Sequence, residues 1–181
     1  YFSGDDDNTT DYILEGVMRS LIHSAHAAMK NIEDYEARSN IMWCATIGLN
    51  TVTGLSKQQD WEVHMIEHQV GAYTDCAHGA GLAAISVPYY KYICKYGTDK
   101  FVRFAKNVWG VNTDGMSKDD AALAGIECLK EFIKSIELPL SLKELGATEE
   151  MLPLIAKSTI PGGGYKQMNA EDILTVLKES F

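Results

Sequence analysis

The 181-residue sequence has no long apolar segment and little clustered positive charge. No apolar run approaches the ~18 residues of a membrane span, and no charged, apolar leader stands at the start, so we expect no membrane association. The formal net charge is −9, from 16 Lys and Arg against 25 Asp and Glu. Because phosphate binding needs clustered positive charge, we expect no nucleic-acid partner. The acidic run at residues 5–7 is predicted to be a solvated loop.

Cysteine is also scarce. The four cysteines are too widely spaced for a CxxC site, and they are Cys44, Cys76, Cys94 and Cys128. Reduced and buried cysteines are typical of cytoplasmic proteins, so we expect a cytoplasmic protein. A disulfide is the alternative that the sequence leaves open.

No run of alternating or β-branched residues indicates a strand, and apolar residues instead recur at helical spacing. In residues 11–31 they form one stripe, with Thr9 or Thr10 available as an N-cap. Residues 34–54 are apolar on all sides, which predicts a central helix that ends near Gly54.

Further helices are predicted over the next part of the chain. One is expected over residues 60–73. The next begins near Gly79 and contains Pro88, which predicts a kink or a break. A short amphipathic helix over residues 99–110 is expected to end at Gly110.

Three later helix starts carry capping residues. These are Ser117, Ser141 with Glu144 three residues later, and Asn169. Pro and Gly mark the connections between these segments. The sequence therefore predicts one all-α domain over residues 1–181, built as a multi-helix bundle.

Three of the five histidines lie in one stretch, HMIEHQVGAYTDCAHG, at residues 64–79. His64 and His68 are four residues apart, so a helix places both rings on one face. His78 stands where the next helix is expected to begin. Two helices that meet there can direct all three rings to one point, and neutral imidazole is a common ligand of iron, zinc, nickel and copper.

Spacing alone does not decide between a metal site and ordinary histidines that lie at the surface or form hydrogen bonds. The zincin motif needs Glu directly after the first histidine, and Met65 stands there instead. His23 and His26 have a similar spacing on the first helix, without further signs of a ligand role. The small residues around His78 allow either a cofactor or another helix to approach closely.

Four segments resemble the iron-containing (group III) alcohol dehydrogenases, in the branch of butanol dehydrogenases and NADPH-dependent aldehyde reductases. They are DWEVHMIEHQVGAYTDCAHGAGLAAISVPYYKYI, DYEARSNIMWCATIGLN, KFVRFAKNVWG and NAEDILTVLKESF. The resemblance covers essentially the whole chain. It implies the all-helical C-terminal half of a two-domain enzyme, in which a separate N-terminal α/β domain binds NAD or NADP. The family's glycine-rich dinucleotide loop and a βαβ pattern are both missing from this sequence.

The resemblance also assigns roles to the histidines. It matches His64 and His78 with two of the four ligands of a divalent metal, either iron or zinc. It places His68 beside the metal and the nicotinamide, as a coenzyme contact and the residue that transfers a proton. The other two ligands, an Asp and a His four residues later, are expected before Tyr1, so we expect a truncated and inactive chain.

The implied reaction is the interconversion of small primary alcohols and aldehydes by metal-assisted hydride transfer. The parent protein is expected to be a homodimer, and Tyr73 and Cys76 are expected to line its cleft. Two alternatives stay open. One is the helical half of a polyol dehydrogenase or a dehydroquinate synthase-like enzyme, and the other is a non-catalytic helical interaction module.

Overall fold

The computed structural model describes residues 1–4, 8–54 and 57–181, which leaves the predicted loop at residues 5–7 outside the described residues. Within them the only β-type pairing is an isolated antiparallel bridge between Asp60 and Gly163, and the prediction of an all-α fold is confirmed. The α-helices are α1 (Asn8–Lys30), α2 (Tyr35–Leu49), α3 (Glu62–Thr74), α4 (His78–Ile93), α5 (Thr98–Asn107), α6 (Lys118–Ser135), α7 (Met151–Ser158) and α8 (Ala170–Glu179).

Helix α4 lies at the centre of the bundle and packs against α3, α6 and α8. Ile85, Tyr89 and Ile93 are spaced by one helical turn and are fully buried. Helix α4 continues through Pro88 to Ile93, so the predicted break does not occur. Proline removes one hydrogen bond of the helix, and the packing of α4 on three neighbours compensates for that loss.

Helix α2 is peripheral, so the prediction of a central helix is wrong. Its buried residues are Ala37 and Cys44, whereas Met42 and Trp43 are 72% and 62% exposed. Its main contact is with α1. An apolar surface on all sides leads to burial only if other helices surround it. Here α2 also ends early, at Leu49, and a short 3₁₀ turn continues to Gly54.

Two predicted caps are confirmed. Oγ of Ser117 accepts a hydrogen bond from the backbone N–H of Asp120 at the start of α6. Asn169 and Asp172 form a reciprocal capping box at the start of α8. In both cases the side chain satisfies backbone N–H groups that have no partner within the helix.

Other predictions of helix ends are wrong. Helix α1 begins at Asn8, so Thr9 and Thr10 lie inside it and neither is the N-cap. Ser141 and Glu144 do exchange hydrogen bonds, but they precede only a 3₁₀ turn at Lys143–Leu145. Helix α7 was not predicted, because eight residues are too few to show a clear period.

All four cysteines are free, so the alternative of a disulfide is not realised. The expectation that they are buried holds for Cys44, whereas Cys76, Cys94 and Cys128 are partly exposed. In the described part of the chain, every helix is too short or too polar to cross a bilayer.

Candidate metal centre

Helices α3 and α4 bring His64, His68 and His78 together. The centroid of the His78 ring lies 5.2 Å from that of His64 and 5.6 Å from that of His68. The rings of His64 and His68 are 6.4 Å apart. One ligand nitrogen from each ring can be chosen so that all three atoms lie within 4.8 Å of one another. The three side chains that the sequence singled out therefore form one cluster.

A sharp reversal of the chain produces this cluster. Helix α3 ends at Thr74, and Asp75 adopts a left-handed conformation with φ of 55° while its N–H bonds the carbonyl of Gly71. Aspartate tolerates this conformation better than most residues. After two more residues α4 begins at His78, so its first turn faces the turns of α3 that carry His64 and His68.

The core packing of α3 places the two histidines at its edge. Val63, Ile66 and Val70 form the buried stripe of the helix. His64 adjoins this stripe and is partly buried, whereas His68 and His78 are exposed. The cluster thus lies where the hydrophobic core meets the surface.

The surroundings of His64 favour its neutral form. Burial lowers the pKa of His64 below its usual value, and the nearby rings of His78 and His68 act in the same direction. The ring of Trp61 packs 5.2 Å from that of His64. Since the neutral imidazole is the form that binds metals, this environment suits a ligand.

Glu67 is a site residue that the sequence analysis missed. Its carboxylate is buried, and Oε2 accepts a hydrogen bond from Nδ1 of His78. A glutamate three residues after His64 was visible in the sequence. Its contact with His78 was not visible, because it depends on the reversal between α3 and α4.

A glycine-rich loop holds the start of α3. The carbonyl of Gly162 accepts a hydrogen bond of 3.1 Å from the N–H of Trp61, and the N–H of Gly162 donates one of 2.6 Å to Oε2 of Glu62. A side chain at position 162 would lie 2.6 Å from the carbonyl carbon of Trp61, so only glycine fits there. These contacts position the turn that comes directly before His64.

A cleft opens beside His64 and has a volume of ≈ 490 Å³. Trp61, Leu82 and Tyr90 contribute to its wall. Tyr73 and Cys76, which were expected to line the cleft of the parent protein, are not part of this wall. The cleft therefore offers a space next to His64 that is lined by both apolar and polar side chains.

The histidines of α1 take no part in this cluster. Nε2 of His26 lies 2.9 Å from Oγ of Ser135, and its ring packs against Phe132, so it links α1 to α6. His23 and His26 form no group of potential metal ligands with other described residues.

Comparison with known proteins gives the family of the chain. The model of the Fe-containing alcohol dehydrogenase family, C-terminal, matches residues 1–181. NADH-dependent butanol dehydrogenase A of Clostridium acetobutylicum is 35% identical over 190 residues, which cover 100% of this chain and 48% of the relative. The NADPH-dependent aldehyde reductase of Escherichia coli is 30% identical over 147 residues, which cover 81% of this chain and 38% of the relative.

Solved structures share the fold. The NADH-dependent butanol dehydrogenase A of Thermotoga maritima matches with a TM-score of 0.90 and 32% identity, over 98% of this chain and 47% of that chain. The aldehyde reductase of Escherichia coli, free of substrate and cofactor, matches in fold with a TM-score of 0.91 and 24% identity, over 100% of this chain and 49% of that chain. The chain spans about half the length of these relatives. Its full-length match to the family model shows that the chain belongs to the Fe-containing alcohol dehydrogenase family and corresponds to the C-terminal helical domain.

Proposed function

We propose that this chain is the metal-binding half of an NAD(P)-dependent enzyme that interconverts primary alcohols and aldehydes. The observation that carries the proposal is the convergence of His64, His68 and His78 where α3 meets α4, in a chain of this family. The names of the relatives describe butanol dehydrogenases and an aldehyde reductase, which supports this substrate class.

The three histidines fit a divalent metal in ligand type and in spacing. Imidazole accepts both iron and zinc. Two nitrogens bound to one ion at about 2.1 Å stand roughly 3–3.5 Å apart, which is less than the separation of up to 4.8 Å between the ring nitrogens here. The rings of His64 and His78, with centroids 5.2 Å apart, are nevertheless close enough for one ion to lie between them, so the residues present fit the group.

Within this site we assign His64 and His78 as ligands. Burial lowers the pKa of His64, which favours the neutral ring that binds metals. The hydrogen bond from Nδ1 of His78 to Glu67 leaves Nε2 of that ring available to a metal. A bound metal supplies Lewis-acid polarisation of the alcohol or aldehyde oxygen. His68 lies one helical turn from His64, and we assign it as the residue that carries the proton and contacts the coenzyme.

The coenzyme domain is proposed to lie elsewhere in the parent protein. The relatives are about twice as long as this chain, and their names specify NADH or NADPH. In this proposal residues 1–181 form one metal-binding domain, and a separate α/β domain binds NAD or NADP. The small alcohol or aldehyde enters the cleft beside His64, where Trp61, Leu82 and Tyr90 suit an alkyl chain. A cytoplasmic homodimer of the parent protein stays a prediction.

The experiment is metal analysis and enzyme assay of the full-length parent protein. We expect one equivalent of iron or zinc per subunit, and reduction of butanal with NADH or NADPH. A parent that contains metal but reduces no aldehyde would favour the polyol dehydrogenase or dehydroquinate synthase-like alternative. A parent without metal and without turnover would favour the helical interaction module.

A further inference from the structure

We propose that Glu67 is the positioning residue of the histidine cluster. Its carboxylate accepts a hydrogen bond from Nδ1 of His78 and thereby leaves Nε2 of the same ring as the nitrogen that can bind the metal. The inference rests on the proposed function, because it assumes that the cluster binds a metal.

The burial of Glu67 sets it apart from a glutamate in a surface ion pair. The side chain of Glu67 is 3% exposed, whereas that of His78 is 52% exposed. Burial of a carboxylate is unfavourable unless hydrogen bonds and charges compensate. The acid is therefore buried, whereas the ring that it contacts reaches the surface.

Two glycines, one on each helix, make the space for this carboxylate. A Cβ atom at Gly81 would lie 2.7 Å from Cγ and 2.9 Å from Oε1 of Glu67. A Cβ atom at Gly71 would lie 3.3 Å from the same Oε1. The small residue at position 81 thus makes room for the side chain of Glu67. Close packing of α3 on α4 therefore accounts for this one of the small residues after His78.

The first turn of α4 offers a favourable charge to the carboxylate. His78 is the first residue of α4, and its N-cap, Ala77, has no side chain that can bond the free N–H groups. Glu67 packs against Gly81, the fourth residue of the same helix. A negative charge at this end is stabilised by the helix dipole. Stabilisation of α4 is therefore the competing explanation for the buried position of Glu67. Measurements of metal affinity and of the His78 tautomer distinguish it from the positioning of His78.

The hydrogen bond defines which nitrogen of His78 is available. When Nδ1 carries the proton and donates it to a carboxylate, Nε2 keeps its lone pair and the ring cannot rotate freely. Loss of such a partner typically weakens metal binding by about 10- to 100-fold. That range is the effect expected here.

The first measurement is the affinity of the metal-free, full-length protein for Zn²⁺, in competition with a chromophoric chelator. We expect Glu67→Met, which fills the same space without an acceptor, to weaken Zn²⁺ binding by about 10- to 100-fold. Glu67→Gln retains an acceptor oxygen, so its loss should be smaller. The control is Glu127→Gln, which changes a half-exposed ion pair with Lys130.

A second pair of variants leaves Glu67 and the histidines unchanged. Gly81→Ala should push the carboxylate away from His78 and weaken Zn²⁺ binding. Gly79→Ala lies in the same turn, has no atom within 4 Å of its added Cβ, and should change nothing. This pair keeps the inference testable even if Glu67→Met does not fold.

The third measurement is the tautomer of His78, read from ¹⁵N NMR of the metal-free protein. We expect the Nδ1–H form in the wild type, and a shift toward Nε2–H in Glu67→Met and Gly81→Ala. If Glu67 only stabilises α4, the variants will lower Tm while the tautomer and the Zn²⁺ affinity stay unchanged, and the inference is overturned. If the wild-type protein binds no metal, the proposed function fails first and the inference fails with it.

Discussion

The hydroxyl group of Tyr89 donates a hydrogen bond of 2.8 Å to Oδ2 of Asp60, and so ties the middle of α4 to the residue two positions before α3. Oδ1 of Asp60 accepts a second bond, of 2.9 Å, from the backbone N–H of Glu62 in the first turn of α3. Because α3 carries His64 and α4 carries His78, this pair holds together the two helices that form the histidine cluster.

Replacement of Tyr89 by Phe should destabilise the protein. Tyr89 has no exposed surface. Burial raises the pKa of Asp60, so its ionised carboxylate depends for its stability on the hydrogen bonds from Tyr89 and from the N–H of Glu62. We expect Tyr89→Phe to lower the free energy of unfolding by ~1–3 kcal/mol, measured by urea denaturation. Tyr35→Phe is the control, because Tyr35 is 84% exposed and its change should stay within about 0.5 kcal/mol. Equal stability of the two variants would contradict the proposed role of the bond.

The roles of the histidines can be separated in the full-length parent protein. His64→Ala and His78→Ala should remove the bound metal and nearly all turnover, because each deletes a proposed ligand. His68→Ala should keep the metal and slow the reaction, because it deletes a proton carrier. His23→Ala, outside the cluster, is the control. Loss of metal from His68→Ala would show that His68 is itself a ligand, and normal metal content in either of the first two variants would refute the assignment.

The 181-residue chain by itself should bind metal weakly and should bind no dinucleotide. Two of the four implied ligands are present, His64 and His78, and tight sites usually have three or four protein ligands. We expect helical circular dichroism, no stoichiometric iron or zinc after dialysis, and no saturable binding of NADPH. One equivalent of metal at nanomolar affinity would show that further ligands lie within the chain. Saturable micromolar binding of NADPH would place the coenzyme site here.

Two helical glycines should respond in opposite ways to replacement by alanine, because one lies where α5 packs on α6 and the other lies in open space. A Cβ atom at Gly125 in α6 would lie 2.9 Å from Cβ of Ala105 in α5, whereas a Cβ at Gly16 in α1 would meet no atom within 4 Å. Gly125→Ala should lower the free energy of unfolding by ~1–3 kcal/mol. Gly16→Ala should raise it by ~0.5–1 kcal/mol, because alanine favours the helix. Thermal or urea unfolding of both variants measures the contrast, and a stabilising Gly125→Ala would show that the two helices separate easily.

Asp172 should make the stability of the C-terminal helix dependent on pH. Burial alone would raise the pKa of Asp172, but hydrogen bonds from Lys166 and Tyr92 outweigh it and lower the pKa to about 2. The ionised carboxylate therefore stabilises the fold above its unfolded pKa of about 3.9, and this contribution is lost as the pH falls toward about 2.

We expect Asp172→Asn to cost ~1–2 kcal/mol of unfolding free energy at neutral pH, through the weakened cap and the lost charge. The difference from wild type should shrink as the pH falls below about 4. Urea denaturation at several pH values measures it, with Glu171→Gln in the same turn as the control. A difference that is constant with pH would rule out ionisation as its source.

The amino-acid sequence by itself determined the fold class and most of the helices. The 3.6-residue period and the caps at Ser117 and Asn169 act within one or two turns, so they need no information about distant residues. The placement of His64 and His68 on one face of a helix follows from their spacing in the same way. The roles proposed for the histidines rest instead on the resemblance of four segments to one family.

Only the tertiary structure decided what surrounds each helix. The apolar α2 lies at the periphery, because α1 is its main neighbour. The residues of a helix do not determine how many other helices pack around it. Pro88 stays inside α4 because three other helices hold that helix in place. The contact between Glu67 and His78 joins residues eleven positions apart on two helices. This contact requires the chain reversal at Asp75 and the space beside Gly81. Both bring the two side chains together only once α3 and α4 have packed against each other.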